Sequence, residues 1–519
     1  MTRRPHSIND FLGASVSKIL IAINAIFAVI YFCVLVFFFP IGNVALFGFL
    51  VLGELFHMWQ LFTFLYTVWE RKKTAAPNPN YYPAVDVYIT VAGEPISIIE
   101  ETLKGIKAMD YPAFDIFVLN DGFVAQKDNW QEVEGLANRY GATAITRRVG
   151  GGAKAGNINN AVKETRNAFI AIFDADHVPH PDFLKKTMPH FSDENVGFVQ
   201  SPQYYKNFNT NLITKGSWEQ QQLFFGPICE GKNRLNSATM CGTNMVIRRT
   251  SLELVGGMCE ESIAEDFATG MFMHQRGLTS VYVAEVLAEG LAPEDFLSYY
   301  KQQLRWARGA LDVAFKYNVI FAKGLTMPQR IQYTASVSFF FSGIFVIMNA
   351  IIPLIFFFTG AVPFVISTML LAVVFLPYIF ITLYTLQTAS NFSFTYQSLA
   401  FSVSSFSIHM SALLSALSGR KATFEITSKK KISGDFLNLV RPHIAYIILV
   451  AIGIAYALYR EGLTASVVAN TAWAVLNAAI FSEFIFAAMP NNKVKDTVSK
   501  GRKVAATIIT SPKKMLKQI

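Results

Sequence analysis

Long apolar runs stand at both ends of this chain, and a segment with a different rhythm lies between them. Residues 19–39 are almost wholly apolar, and residues 44–68 are interrupted chiefly by Glu54, His57 and Gln60. Later runs fall at 334–358, 362–386, 444–459 and 466–489. A bilayer is spanned by about 20 apolar helical residues, so this pattern specifies a membrane protein with a polar domain inserted between its helices. The balance of 52% hydrophobic to 16% charged residues agrees. In such a chain a net charge of +9 marks cytoplasmic loops rather than a nucleic-acid surface, so no nucleic-acid partner is expected. Cys33, Cys229, Cys241 and Cys259 form no Cys-x-x-Cys pair, which gives no zinc or disulfide framework. The first run is too long for a signal peptide and no small-residue cleavage site follows it.

Charge sets the expected orientation. Arg3, Arg4 and Lys18 precede the first run, Arg71-Lys72-Lys73 closes the second, and the tip at 40–43 carries no positive residue. The N-terminus and the segment after residue 70 are therefore expected on the cytoplasmic side of a plasma membrane. Residues 391–418 are apolar but rich in Ser, with Asn391, Gln397 and His409. The Lys-rich stretch at 429–431 and the Lys-rich tail share one side only if 391–418 does not span, so it reads as an interfacial or re-entrant helix. Six spanning helices result, two before the polar domain and four after, with both termini cytoplasmic. The expected division is a hairpin at 1–70, a domain at 84–310, interfacial helices at 311–330, and a hairpin at 331–388. An interfacial helix and loop at 391–431, a hairpin at 442–489 and a basic tail at 490–519 complete it. Glu54 and His57 lie one turn apart inside the second span, which fits a polar path or a helix–helix hydrogen bond equally well.

Within 84–310 the chain alternates strands (85–91, 114–119, 142–147, 168–173) with helices (95–109, 130–140, 155–166). That alternation predicts a parallel sheet in a Rossmann-like α/β domain, with ligands at the C-terminal ends of its strands. Asp174-Ala175-Asp176 follows the strand at 168–173. In an extended chain residues i and i+2 point the same way, so both carboxylates could hold one hard cation that bridges two phosphates. A polar turn is the plainer reading of the same residues. Thr90, Glu94 and Asp121 stand at strand ends, within reach of a base or ribose. Arg147, Arg148, Gly150 to Gly152 and Lys154 suit a diphosphate, although a Gly-rich basic loop also serves as a surface turn. The stretch is not a P-loop, and no dinucleotide fingerprint follows the first strand. Ala264-Glu265-Asp266 precedes a helix expected at 267–276; an Asp there is an N-cap or a general base. Gln302, Arg305 and Trp306 offer a neutral donor, a fixed charge and a flat face for a sugar, or else ordinary juxtamembrane anchors.

Taken in order, Asp121-Gly122, Lys154-Ala155-Gly156-Asn157, Asp174-Ala175-Asp176, Phe198-Val199-Gln200-Ser201-Pro202-Gln203, Glu265-Asp266 and Gln302-x-x-Arg305-Trp306 resemble the membrane-embedded processive family 2 glycosyltransferases, the group of cellulose, hyaluronan and chitin synthases. The resemblance covers 84–310 closely and the membrane part more loosely. It implies a GT-A catalytic domain in which Asp121 meets the nucleotide base and Lys154 the diphosphate. Asp174 and Asp176 would hold the nucleotide and Mg2+ or Mn2+. Asp266 would be the general base beside Glu265. Gln302, Arg305 and Trp306 would hold the diphosphate and the acceptor, and Phe198, Gln200 and Gln203 would flank the acceptor. Phe424 to Lys429 resembles the gating loop of cellulose synthases, which puts Thr427 and Lys429 on the nucleotide and favours UDP-glucose as donor. The implied activity is inverting, processive β-glucan synthesis with transfer of the polysaccharide across the bilayer. A chitin- or hyaluronan-type synthase using UDP-N-acetylhexosamine is the alternative, and a non-enzymatic transporter with a nucleotide-sensing domain is a remote one. The chain departs from the family at Asn120 for Asp, at Ala264 for Thr, and at Ala92-Gly93-Glu94 for Tyr-Asn-Glu. No cyclic di-GMP domain is expected after the last helix. Linkage, oligomeric state and periplasmic partners have no motif here.

Overall fold

A computed structural model of the chain describes residues 13–71, 76–365, 368–419 and 432–490. Its polar domain is built on ten strands: β1 Val85–Val91, β2 Phe114–Asn120, β3 Thr143–Thr146, β4 Phe169–Asp174, β5 Val178–Pro179, β6 Val196–Gln200, β7 Tyr204–Tyr205, β8 Met245–Arg248, β9 Thr279–Tyr282 and β10 Ala288–Gly290. Seven form the main sheet in the order β3-β2-β1-β4-β8-β6-β9, and β5, β10 and β7 form a small second sheet. β1 is buried along its whole length, as a near-continuous run of β-branched and aromatic residues requires when helices cover both faces. Alternate residues of β1 and β4 feed two cores. Val85, Val87, Ile89, Phe169, Ala171 and Phe173 pack on one face with Ile99, Leu103 and Leu136. Tyr88, Ile170 and Ile172 pack on the other with Ala155, Ile158 and Met273.

The expectation of a parallel sheet holds from β3 to β4 and fails at β8, which runs antiparallel to both β4 and β6. The chain leaves β6, makes a long helical excursion and returns between β4 and β6 from the opposite end. The consequence is local. Met245, the first residue of β8, pairs with Ile172 near the C-terminal end of β4, so the loop before β8 is delivered to the end of the sheet where Asp174 stands.

Among the described residues, seven helical stretches are long and apolar enough to cross a membrane by length and composition. Three hairpin tips lie together at one end. Gly42 and Asn43 donate to Pro363 and Val362 carbonyls (3.1 and 2.8 Å), and Val365 donates to Pro40 (2.9 Å). Arg460 donates to the Phe356 carbonyl (3.1 Å). The opposite ends face the sheet domain: Ala14 donates to Ala389 and Phe436 to Ala488, and Ile432 donates to Asp295. The Tyr396–Leu417 candidate is tied through its far half to the helix Phe296–Tyr317, where Arg308 donates to Ser415. Its window is 50% buried, more than any other, and Ser405 divides it into Tyr396–Ser404 and Phe406–Leu417. Ser398 donates to the Glu219 carbonyl (3.0 Å), which holds it to the helix Leu212–Leu223. The expected domain boundary at 310 falls inside one helix, Phe296–Tyr317, which carries the chain from the cleft toward the membrane part.

Candidate active site

A cleft of about 600 Å³ opens where β1, β2 and β4 end. β4 supplies Asp174 as its last residue, and the chain then turns through Ala175 and Asp176. The pair is thus brought together by a turn, not by the side-sharing of an extended strand, which corrects the expectation above. Lys154, from the helix Ala153–Glu164, forms an ion pair with Asp174 and donates to the Gly242 carbonyl (2.8 Å). Burial pushes the Asp174 carboxyl up, but Lys154 and His177 beside it bring it below the ordinary range. Thr90 donates to Asp174 Oδ1 (3.2 Å), and Asp176 Oδ2 accepts from the Leu291 N–H (3.2 Å).

His177 completes this group and was not assigned a role from the sequence. One ligand atom each from Asp174, Asp176 and His177 lie within 4.8 Å of one another. His177 is 4% exposed, and neither ring nitrogen has a hydrogen-bond partner. A Cβ at Gly290 would come within 2.5 Å of its Nε2, so the glycine makes the room the ring fills. Two carboxylates and a buried imidazole that makes no hydrogen bond, its Nδ1 3.5 Å from Asp176 Oδ1, are a donor set that fits a divalent cation. The signal was present, since His177 directly follows Asp176.

Asp121 and Arg147 form a two-point ion pair at the other side of the cleft (Nε–Oδ1 2.9 Å, Nη2–Oδ2 2.7 Å). Burial raises the Asp121 carboxyl despite that partner. Asn120, where the family pattern has a carboxylate, accepts from the Gly122 N–H (2.9 Å) and donates to the Trp130 carbonyl (2.8 Å). An amide can make both bonds, whereas an ionised carboxylate could not donate the second. Glu94 turns back on its own loop, accepting from the Ala92 N–H (2.7 Å), and lines the cleft with Thr90.

Glu265 and Asp266 are the first two residues of the helix Glu265–Gln275, which begins two positions before the start expected from sequence. Neither serves as its N-cap; that residue is Ala264, which makes no side-chain cap bond. Asp266 Oδ1 accepts from the Phe267 N–H (2.7 Å). Both carboxyls line the cleft and burial raises both, Glu265 to about 7 with the neighbouring Asp266 adding to the shift. Gln302, Arg305 and Trp306 also line the cleft, from the helix Phe296–Tyr317. The Gln302 side-chain oxygen is buried without a partner.

The acceptor-flanking set divides. Gln203 lines the cleft and donates to the Cys241 carbonyl (3.0 Å). Phe198 and Gln200 do not, which corrects their assignment. β6 is buried on both faces, so Phe198 packs in the core against His274 (centroids 5.6 Å), and Gln200 spends its amide on the Ser201 and Thr243 carbonyls (both 2.8 Å). Tyr205, Cys241 and Gly242 line the cleft instead. Thr427 and Lys429 lie outside the described residues.

Residues 83–309 match the family described as glycosyltransferase-like family 2, and residues 253–484 match the family described as cellulose synthase. A cellulose synthase catalytic subunit (UDP-forming) of Pseudomonas fluorescens (strain SBW25) is 29% identical over 88% of this chain and 64% of its own length. The corresponding subunit of Xanthomonas axonopodis pv. citri (strain 306) is 35% identical over 57% of this chain and 40% of its own. The chain thus spans less than two thirds of these relatives. Among solved structures, the mannosyltransferase PcManGT from Pyrobaculum calidifontis, in complex with GDP-Man and Mn2+, aligns over 77% of this chain and all of its own, with a TM-score of 0.47 and 18% identity.

Proposed function

We propose, from the matches of residues 83–309 to glycosyltransferase-like family 2 and of residues 253–484 to cellulose synthase, that the chain is a processive, inverting β-glycosyltransferase that polymerises glucose from UDP-glucose and passes the glucan across the plasma membrane. The observation that carries this reading is one cleft in which Lys154, Asp174, Asp176, Glu265, Asp266, Gln302, Arg305 and Trp306 meet. They come from motifs spread over more than half of the domain, and that cleft abuts the helix leading to the membrane part.

Asp121 and Thr90 meet the nucleoside, and Lys154 offers its ammonium to the diphosphate. Asp174, Asp176 and His177 would hold Mg2+ or Mn2+, which when bound supplies positive charge to the departing UDP. Arg305 adds a fixed positive charge at the same place. Asp266 takes the proton of the acceptor hydroxyl as that oxygen attacks the anomeric carbon from the face opposite the leaving group. Trp306 gives the acceptor sugar a flat apolar surface. Support for a carboxylate base comes from burial that raises both Glu265 and Asp266 toward neutral pH. Thr427 and Lys429 are assigned to the nucleotide on the loop resemblance alone.

Six crossings are proposed, with the domain and both termini cytoplasmic. The reading is supported by three tips at one end and by the bonds of Ala389 to Ala14 and of Ile432 to Asp295 at the other. Exposed Ile320, Phe321 and Met327 support an interfacial position for 311–330.

The test is incubation of purified protein with radiolabelled UDP-glucose and Mg2+ or Mn2+, then digestion with linkage-specific glucanases. High-molecular-weight product that one glucanase degrades is the expected result. Product from UDP-N-acetylglucosamine and none from UDP-glucose would overturn the donor and move the chain to the chitin and hyaluronan branch.

A further inference from the structure

Residues 239–244, the loop that enters β8, tie together motifs that are far apart in sequence. The Gly242 carbonyl accepts from Lys154 (2.8 Å). Thr243 Oγ1 accepts from the Asp174 N–H (2.9 Å). The Cys241 N–H donates to Gln200 Oε1 (2.9 Å), and its carbonyl accepts from Gln203 (3.0 Å). Gly242 lies so close to the base that a Cβ there would stand 2.8 Å from Asp266 Oδ2. The donor side of this loop is thus held by Lys154 and Asp174, and its acceptor side forms the cleft wall at Cys241.

The other end of the loop is held by Lys232. Its ammonium donates to Thr239 Oγ1 (2.8 Å) and to Ser336 Oγ (2.7 Å). Ser336 belongs to the helix Met327–Ser338, the start of a candidate span that continues to Thr359. Lys232 is 3% exposed, and among the described residues no carboxylate pairs with it. Its own helix, Cys229–Arg234, is pressed on the second apolar helix: a Cβ at Gly231 would lie 2.2 Å from the Thr67 carbonyl, and Arg234 donates to the Tyr66 carbonyl (2.8 Å). A buried ammonium that meets two hydroxyls and the face of the Phe224 ring (5.7 Å to its centroid) but no carboxylate is costly to desolvate, so packing alone does not account for it. What the group does make is the one side-chain bridge from residues 239–244 to a membrane helix among the hydrogen bonds of the described residues.

We propose that Lys232 is a positioning residue: it fixes the cleft wall at 239–242 in register with the membrane helix that begins at Met327, and so sets where the acceptor sugar meets Asp266. This rests on the polymerase reading of the cleft. Because Lys154 and Asp174 restrain the donor side independently, loss of the bridge should spare donor binding and impair transfer.

Lys232→Met keeps an unbranched side chain one atom shorter and removes its donors; Lys232→Arg keeps the charge. With purified full-length protein and UDP-glucose, Lys232→Met is expected to lower kcat at least about tenfold while KM stays within about twofold. Lys232→Arg should recover much of the loss, and Thr239→Val should reproduce the split if Lys232→Met does not fold. Wild-type kcat in Lys232→Met, or a matching rise in KM and fall in kcat, would overturn the inference. Hydrogen exchange needs no turnover: in Lys232→Met the peptides covering 237–248 and 327–338 should exchange faster by about fivefold or more, with 114–120 unchanged. Unaltered exchange would sink the inference even if the unsubstituted protein makes no product, the result that would instead sink the functional reading.

Discussion

Glu265 and Asp266 sit side by side in one buried helical turn, with Lys154 and Arg305 as the cations that partly offset their charge. Such a pair titrates as a unit, and a base must be unprotonated to work. Burial raises Glu265 to about 7 and raises Asp266 above the ordinary carboxylate range as well, so polymer synthesis should fall on acidification as the pair takes up protons and hold at alkaline pH. Glu265→Gln removes the neighbouring charge, so its acidic limb should move to lower pH. Asp266→Asn should bind UDP and make no polymer; elongation by that variant would refute the base assignment. His177 gives a second prediction. His177→Ala should weaken Mn2+ binding in the presence of UDP by roughly 10–100-fold in calorimetry, and an unchanged affinity would reduce the cation site to the two carboxylates. Lys154, Asp174, Asp266 and Trp306 were legible in the sequence because their side chains announce charge or a flat face in a recognisable order. His177 was overlooked because its role depends on a turn and on the missing side chain of Gly290. Phe198 and Gln200 were misplaced because their motif continues into a strand covered on both faces.

At the scale of elements, β1 to β4 follow from alternation, and their boundaries fall within a residue or so of those read from pattern. β8 did not follow, since four residues returning antiparallel from a long excursion carry no periodic signal that fixes direction. That one strand matters most for chemistry, because it brings Cys241, Gly242 and Thr243 to Asp174. Close helix contacts were equally silent. Gly216, in Leu212–Leu223, faces the ring of Phe401, and a Cβ there would lie 2.4 Å from ring atoms. Phe401 is fully buried and cannot swing out. Gly216→Ala should therefore cost about 1–3 kcal/mol through overpacking, measured as a lower thermal midpoint in detergent. Adding Phe401→Leu should restore part of it, because contacting sites couple. An unchanged midpoint in Gly216→Ala would mean that the two helices separate freely.

The arrangement of the whole molecule turns on residues 391–418, whose helices pass a length-and-apolarity criterion yet, on the reading proposed above, return to the side they left. Composition cannot separate a helix buried in protein from one buried in lipid, since both exclude water. Parity of the basic segments is the sequence argument for keeping this helix out of the bilayer, and it awaits a direct test. Six crossings put the tips near Val365 and Leu463 on one face of the membrane and the cleft on the other; seven would put Leu463 on the cleft side. Val365, Leu463 and Asp128 are all exposed. Cysteines placed singly at these positions in sealed right-side-out vesicles should therefore label from outside at 365 and 463, and at 128 only after permeabilisation. Labelling of 463 only after permeabilisation would require 391–418 to cross. A polymer made at Asp266 would then have one fewer helix pair with a common direction around its exit, and the positioning of the cleft wall by the Met327 helix would have to be reconsidered with it.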